Sequence, residues 1–251
     1  MRVLVACEYS GVVRDAFLAR GHDAMSCDLL PTDIPGPHYQ GDVRHLLDGY
    51  APVMFQADCD PDGDGWCQVR DCDPAECGCY GPTQDGIEYV ERDGVLLGRP
   101  EDHPQWDLMI AHPPCTYLCS SGIHWNKRRP ERAAQTEDAL EFVRELLAAP
   151  IERIALENPV GVISSRIRKP TQIIQPYQFG HDASKQTALW LKGLHPLRPT
   201  SFVEPRVVDG KPRWANQTDS GQNRLPPSAD RWALRSATYA GIAAAMAAQW
   251  G

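Results

Sequence analysis

The chain has 251 residues, 42% of them apolar and 23% charged, an ordinary balance for a globular protein of one large α/β domain with insertions or two small ones. No apolar run approaches the 18 residues that a membrane-spanning helix needs. The net charge of −8 argues against a nucleic-acid partner until its distribution is read: residues 57–102 hold thirteen Asp/Glu and three Arg, a net −10, which leaves +2 for the rest.

The opening MRVLVACEYSG lacks the long apolar core of a signal peptide and reads as a first strand, Val3–Ala6. With nine cysteines, this predicts a cytoplasmic protein whose thiols are reduced, metal-bound or catalytic. Ser10-Gly11 opens a helical pattern, VVRDAFLARG, with Val12, Val13, Ala16 and Phe17 on one face and Gly21 as its stop. His22–Leu29 reads as a second strand ending at Asp28, completing a βαβ unit with parallel strands. Residues 56–102 break the pattern as an acidic insertion with five cysteines, and GIEYVERDGVLLGRP inside it predicts a hairpin turning at Arg92-Asp93-Gly94. A strand follows at Trp106–Ala111, then the strongest helix, Pro130–Leu147. Arg153–Leu156 is the next strand, running into Glu157-Asn158-Pro159, and two more lie at Ile173-Ile174 and Thr187–Leu191. Residues 196–231 are Pro-rich and polar and read as loop, and Thr238–Trp250 as an Ala-rich helix.

Chemistry collects at the strand ends. Two prolines after Ala111 remove two donors and force the chain out of the sheet, placing Cys115 beyond a strand's carboxyl end, where open α/β sheets bind ligands. Strand one ends in Cys7-Glu8-Tyr9-Ser10-Gly11, where a helix start presents backbone N–H groups; strand two ends in Asp28, placed for a ribose diol; Asp42 follows at the next turn. That layout suits a nucleoside cofactor, although no full G-x-G-x-x-G is present, and either acid could equally be a turn or capping residue.

WDLMIAHPPCTYL resembles the strand and Pro-Cys loop of the C5-cytosine DNA methyltransferases, and ALENPVG resembles their Glu-Asn-Val strand end. QPYQFGHDASKQTALWL is similar to the segment that carries their Gln-x-Arg-x-Arg pattern, and TYAGIAAAMAAQW to their closing helix. The likeness spans most of residues 1–195 and 235–251, and is nearest to the small stand-alone members found in phages and prophages. It implies a doubly wound, class I (Rossmann-like) methyltransferase sheet over residues 1–55, 103–195 and 235–251, a small cysteine-rich insertion at 56–102, and a short polar substrate-contact region at 196–234. It further implies S-adenosylmethionine-dependent C5 methylation of cytosine in DNA, with the base flipped out of a duplex. Cys115 would be the nucleophile and Glu157 a raised-pKa acid at the N3/N4 edge, aimed by Asn158 and Pro159. Glu8, Tyr9, Ser10, Gly11, Asp28, Asp42, Pro113 and Tyr239 would hold the methyl donor, Asp28 on its ribose and Asp42 on its adenine amino group.

Thr116 stands where the family has Gln, Gly11 is the single glycine of the first loop, and Lys185 and Thr187 stand where the arginines would be. Arg166 and Arg168 could replace a lost cation or be solvated charges. Two other functions fit: C5 chemistry on a free pyrimidine nucleotide, which would explain the short recognition region, and a catalytically inactive binding module. RNA is a further possible substrate. Cys59, Cys67, Cys72, Cys77 and Cys79, separated by seven, four, four and one residues, suggest a zinc staple, with free thiols as the alternative. Asp60, Asp62, Asp64, Gly65 and Asp71 partly match a calcium loop. The insertion's charge should repel a duplex, so it would face away from the cleft or meet a protein partner.

Overall fold

Residues 1–52, 87–101, 105–228 and 235–251 are described by the computed structural model. In chain order the strands are β1 (Arg2–Ala6), β2 (Asp23–Asp28), β3 (His38–Gln40), β4 (Ala51–Pro52), β5 (Ile87–Arg92), β6 (Val95–Pro100), β7 (Leu108–Ala111), β8 (Arg153–Pro159), β9 (Gln172–Ile174), β10 (Thr187–Lys192), β11 (Arg206–Val208) and β12 (Lys211–Arg213). The helices are α1 (Val12–Leu18), α2 (Pro130–Ala148), the single turn α3 (Ile163–Arg166) and α4 (Ala240–Trp250). Two units result: Met1–Leu47 with Trp106–Gly251, and Asp48–Gln105.

The first unit is the Rossmann-like, doubly wound sheet expected, seven strands in the order β3-β2-β1-β7-β8-β10-β9. β10 alone runs antiparallel to its two neighbours. β1, β7 and β10 are almost continuously apolar because both faces of their sheet are covered. On one face Val3, Val5, Leu108 and Ile110 pack with Val13 and Phe17 of α1 and Ile242, Met246 and Trp250 of α4. α2 turns Leu140, Val143 and Leu146 inward and packs on β8; Pro130 at its first turn costs no hydrogen bond, and the helix ends ahead of Pro150. Arg14 is fully buried and binds Asp15 at 2.8 Å, Ser26 and Thr32 at 3.2 Å, and the Ile34 carbonyl at 2.8 Å. It thereby ties α1 to β2 and the loop beyond.

Two features depart from the sequence reading. β8 does not end at Leu156 but continues through Glu157-Asn158-Pro159, because β10 pairs with it antiparallel as far as Thr187 opposite Pro159. Within the polar stretch expected to be loop, β11 and β12 form a hairpin about Asp209-Gly210, whose φ values of 50° and 72° suit an Asp-Gly turn.

In the second unit β4, β6 and β5 form an antiparallel sheet, and its hairpin turns at Asp93-Gly94 as expected (φ 50° and 76°). Arg92 pairs with Asp48 at 2.7 Å and Arg99 with Glu88, both guanidiniums lying over the Tyr50 ring. Cys59, Cys67, Cys72, Cys77 and Cys79, and the calcium-loop acids, lie outside the described residues. Among the described residues, no cluster of three His, Cys, Asp or Glu could hold a metal, and no helix is long and apolar enough to cross a membrane.

Candidate functional site

The strand order reverses between β1 and β7, the place where such sheets bind ligands beyond their carboxyl ends. Parallel pairing of β7 with β8 sets Ala111 opposite Leu156, so the next residues out, His112 and Glu157, stand side by side. His112 Nδ1 lies 3.0 Å from Glu157 Oε2, with the two side chains 10% and 15% exposed. His112 Nε2 is buried without a partner among the described residues. Strand periodicity did not mark His112 as functional; the signal was its place one step beyond the pairing of two strands, which only the register makes visible.

Cys115 is exposed at the surface of the loop that Pro113 and Pro114 begin. Buried Asn158 donates from Nδ2 to the Pro113 carbonyl at 2.7 Å. Asn158 thus holds the cysteine loop rather than a turn of its own, and Pro113, buried with its carbonyl engaged, is a support of that loop. The loop closes on itself through the Leu118 and Cys119 amides, each donating to the Cys115 carbonyl at 3.0 Å. Arg132 of α2 donates to the Thr116 carbonyl at 2.9 Å. Gly161 packs so closely beneath it that a β-carbon there would come within 2.0 Å of the Leu118 carbonyl oxygen. Burial, Cys119 and Glu157 together push the Cys115 thiol above its ordinary pKa, and Lys185 opposes them.

For Glu157 burial acts to raise the pKa, but the His112 hydrogen bond, the His112 charge and Lys185 together hold it below the ordinary carboxylate range. That reverses the raised pKa expected of an acid, because the sequence did not show that a histidine would bond the carboxylate. Lys185 faces both Glu157 and Cys115 electrostatically, and its ammonium is anchored 2.6 Å from the Arg235 carbonyl. Thr187 is buried in β10. Arg166 pairs with Glu137 of α2 at 2.9 Å, and Arg168 donates to the Leu191 carbonyl at 3.1 Å. Arg166 thus sits in a half-exposed surface pair, and Arg168 is bonded to the backbone of β10.

On the β1 side, Glu8 is buried and accepts from the Val13 amide at 2.7 Å, the Arg14 amide at 3.2 Å and Ser10 Oγ at 3.1 Å. The helix-start amides expected to be open are filled by the chain's own carboxylate. A phosphate has no place there, whereas an uncharged nucleoside or a cation meets no repulsion. Asp28 accepts from the Leu30 amide at 2.9 Å through one oxygen. Asp42 accepts from the Arg44 amide at 2.9 Å and its guanidinium at 3.1 Å, the turn-acid role. Both acids bear on Cys7, a left-handed residue (φ 58°) whose thiol burial and these charges push up to about 12. Gly11, also left-handed, abuts the buried Arg14. Tyr9 and Ser236 hydroxyls meet at 3.1 Å, joining the first loop to the approach to α4. Tyr239 precedes that helix, its ring 5.1 Å from His181, which accepts from the Gly241 amide at 2.8 Å. These residues lie at the carboxyl end of the sheet, as does Pro113 in the loop after β7.

No family model matches the chain, and no curated protein matches it. Among solved structures it is similar to one described as a candidate DNA modification methyltransferase encoded within a prophage (E. coli), with 12% identity and a TM-score of 0.39. The match covers 81% of this chain and 52% of that one, so this chain spans about half the length of its structural neighbour.

Proposed function

We propose that this chain methylates C5 of cytosine in DNA, using S-adenosylmethionine and a transient covalent bond from Cys115. One observation carries the reading: an exposed cysteine and a largely enclosed His112–Glu157 pair at the ends of adjacent parallel strands, locked together by Asn158 on Pro113 at 2.7 Å.

C5 of a pyrimidine is a poor nucleophile. Adding the Cys115 thiolate to C6 moves an electron pair toward C4 and N3 and makes C5 enamine-like. Glu157, held anionic, accepts from the N4 amino group and from N3 once it is protonated. The proton for N3 passes through the His112–Glu157 pair, whose hydrogen bond already links the two groups. Once C5 carries the methyl group, solvent takes the C5 proton, the C6–sulfur bond breaks to release the thiolate, and N3 returns its proton through the His112–Glu157 pair, which restores the ring. Lys185 lowers the thiol pKa against burial, acting toward the thiolate.

S-adenosylmethionine, when bound, supplies the electrophilic methyl group. Asp28, with an oxygen free of any described partner, is the residue that would meet its ribose; Asp42, Tyr9 and Tyr239 would border it. The Glu8 carboxylate and the two strand-end acids suit a sulfonium nucleoside better than a phosphorylated cofactor.

The test is trapping on a 5-fluorocytosine oligonucleotide with the donor present. Wild type should form a covalent adduct stable to denaturation and Cys115→Ser none; the absence of an adduct with wild type overturns the mechanism. Running 5-fluoro-dCMP in parallel separates the polymer from the free nucleotide.

A further inference from the structure

Beside the nucleophile loop lies a groove of about 530 Å3 that the chemistry above does not use. Ser120 and Ile123 line it from the loop, Pro159 from the end of β8, and Gln186 from beside Lys185. It therefore connects the elements that carry Cys115, Glu157 and Lys185. Ile123 begins a 3-10 segment, Ile123–Lys127, that brings four exposed groups to the surface in succession: Trp125, Lys127, Arg128 and Arg129. The Trp125 side chain is 39% exposed, with the Arg129 guanidinium 5.0 Å and the Arg128 guanidinium 5.9 Å from its ring centroid.

None of these three cations is neutralised by a carboxylate of a described residue, and two of them lie over the Trp125 ring. Arg44, Arg144, Arg166 and Arg206 each pair with a carboxylate, whereas Lys127, Arg128 and Arg129 form no ion pair with any described residue. Residues 123–132 carry a net +3 in a chain of net −8. Three adjacent like charges left unpaired repel one another. That cost is offset when a polyanion arrives and its condensed counterions are released. A single nucleotide could satisfy one such cation, not three, and the indole beneath the two guanidiniums holds them side by side.

We propose that residues 125–129 form a backbone-binding surface for a DNA strand running along this groove. Phosphates meet Lys127, Arg128 and Arg129, and Trp125 positions the two arginines for them. The inference rests on reading the pocket at Cys115 as one that takes a cytosine. It explains how an acidic chain with a short recognition region grips a polymer: the grip is local, contiguous with the nucleophile loop, and independent of the overall charge.

The experiment measures fluorescence anisotropy of a labelled 20-mer, duplex and single-stranded, from 50 to 200 mM salt. It compares wild type, Lys127→Gln/Arg128→Gln/Arg129→Gln, Arg128→Lys/Arg129→Lys and Trp125→Ala. The neutral triple variant should bind at least tenfold more weakly at ~100 mM salt and lose about 2–3 from the log–log salt slope, since each phosphate contact contributes about 0.7–0.9. The charge-preserving double variant should keep the slope, and Trp125→Ala should weaken binding without changing it. An unchanged slope in the triple variant overturns the proposal, as does tighter, equally patch-dependent binding of an RNA of the same sequence. Loss of slope together with no adduct from wild type keeps this surface and discards the methylation reading. An adduct from wild type with an unchanged slope in the triple variant does the reverse.

Discussion

His112 has a consequence that can be titrated. Glu157 is buried, yet its pKa is held below that of a free glutamate by a hydrogen bond 3.0 Å long and by Lys185. A depressed carboxylate pKa stabilises the fold at pH above the ordinary glutamate value, and that contribution disappears as pH falls toward the lowered value. In His112→Ala burial acts almost alone, Glu157 takes a raised pKa, and the sign inverts: stability is lost as pH rises. The difference in melting temperature between wild type and His112→Ala should therefore widen as pH rises through the carboxylate range, and a difference that does not change with pH would remove the pair's coupling. Cys115 offers a second titration. Its thiol lies above the ordinary range, so alkylation by iodoacetamide should keep accelerating with pH past the point where a free cysteine levels off. Lys185→Met should move that profile further up, and a profile unmoved by the change would remove Lys185 from the site.

The element scale explains why these groups meet at all. β7 and β8 are paired in parallel with Ala111 opposite Leu156, and a one-residue slip would send His112 or Glu157 to the other face. The loops after the two strands are then clamped, with the Val162 amide donating to the Leu118 carbonyl at 2.9 Å and Gly161 directly beneath. Gly161→Ala forces a β-carbon into that carbonyl and should cost about 1–3 kcal/mol, as overpacking does, while slowing adduct formation. Thermal unfolding with the trapping rate measures both; a variant as stable and fast as wild type would show that the loops are not clamped. At the other end of the site Arg14 joins α1, β2 and the 32–34 loop. Removing it leaves the buried Ser26 hydroxyl and the partly buried Ile34 carbonyl without their donor, so Arg14→Ala should cost about 1–3 kcal/mol in a denaturant titration.

On the scale of the whole molecule, the two chain ends of the sheet unit on either side of residues 48–105 lie close together. The Trp106 indole donates to the Leu46 carbonyl at 2.7 Å. A short flexible linker in place of residues 48–105 closes that gap at little entropic cost, so the truncated chain should retain a cooperative thermal transition and its Cys115 reactivity. Failure to fold would show that the two units depend on one another. Sequence alone was enough for the parts whose patterns are local. Apolar runs, the Pro130 helix start and the Asp93-Gly94 turn each impose structure on their own neighbours, and the Pro-Pro-Cys and Glu-Asn-Pro strings drew attention to the ends of β7 and β8. What those strings would touch depended on long-range pairing. The extension of β8 through Pro159, the histidine at the carboxylate and the bond from Asn158 to the cysteine loop all come from partners many residues away. A hydrogen bond or ion pair between distant residues is set by strand register and helix packing, which no local spacing of residues contains.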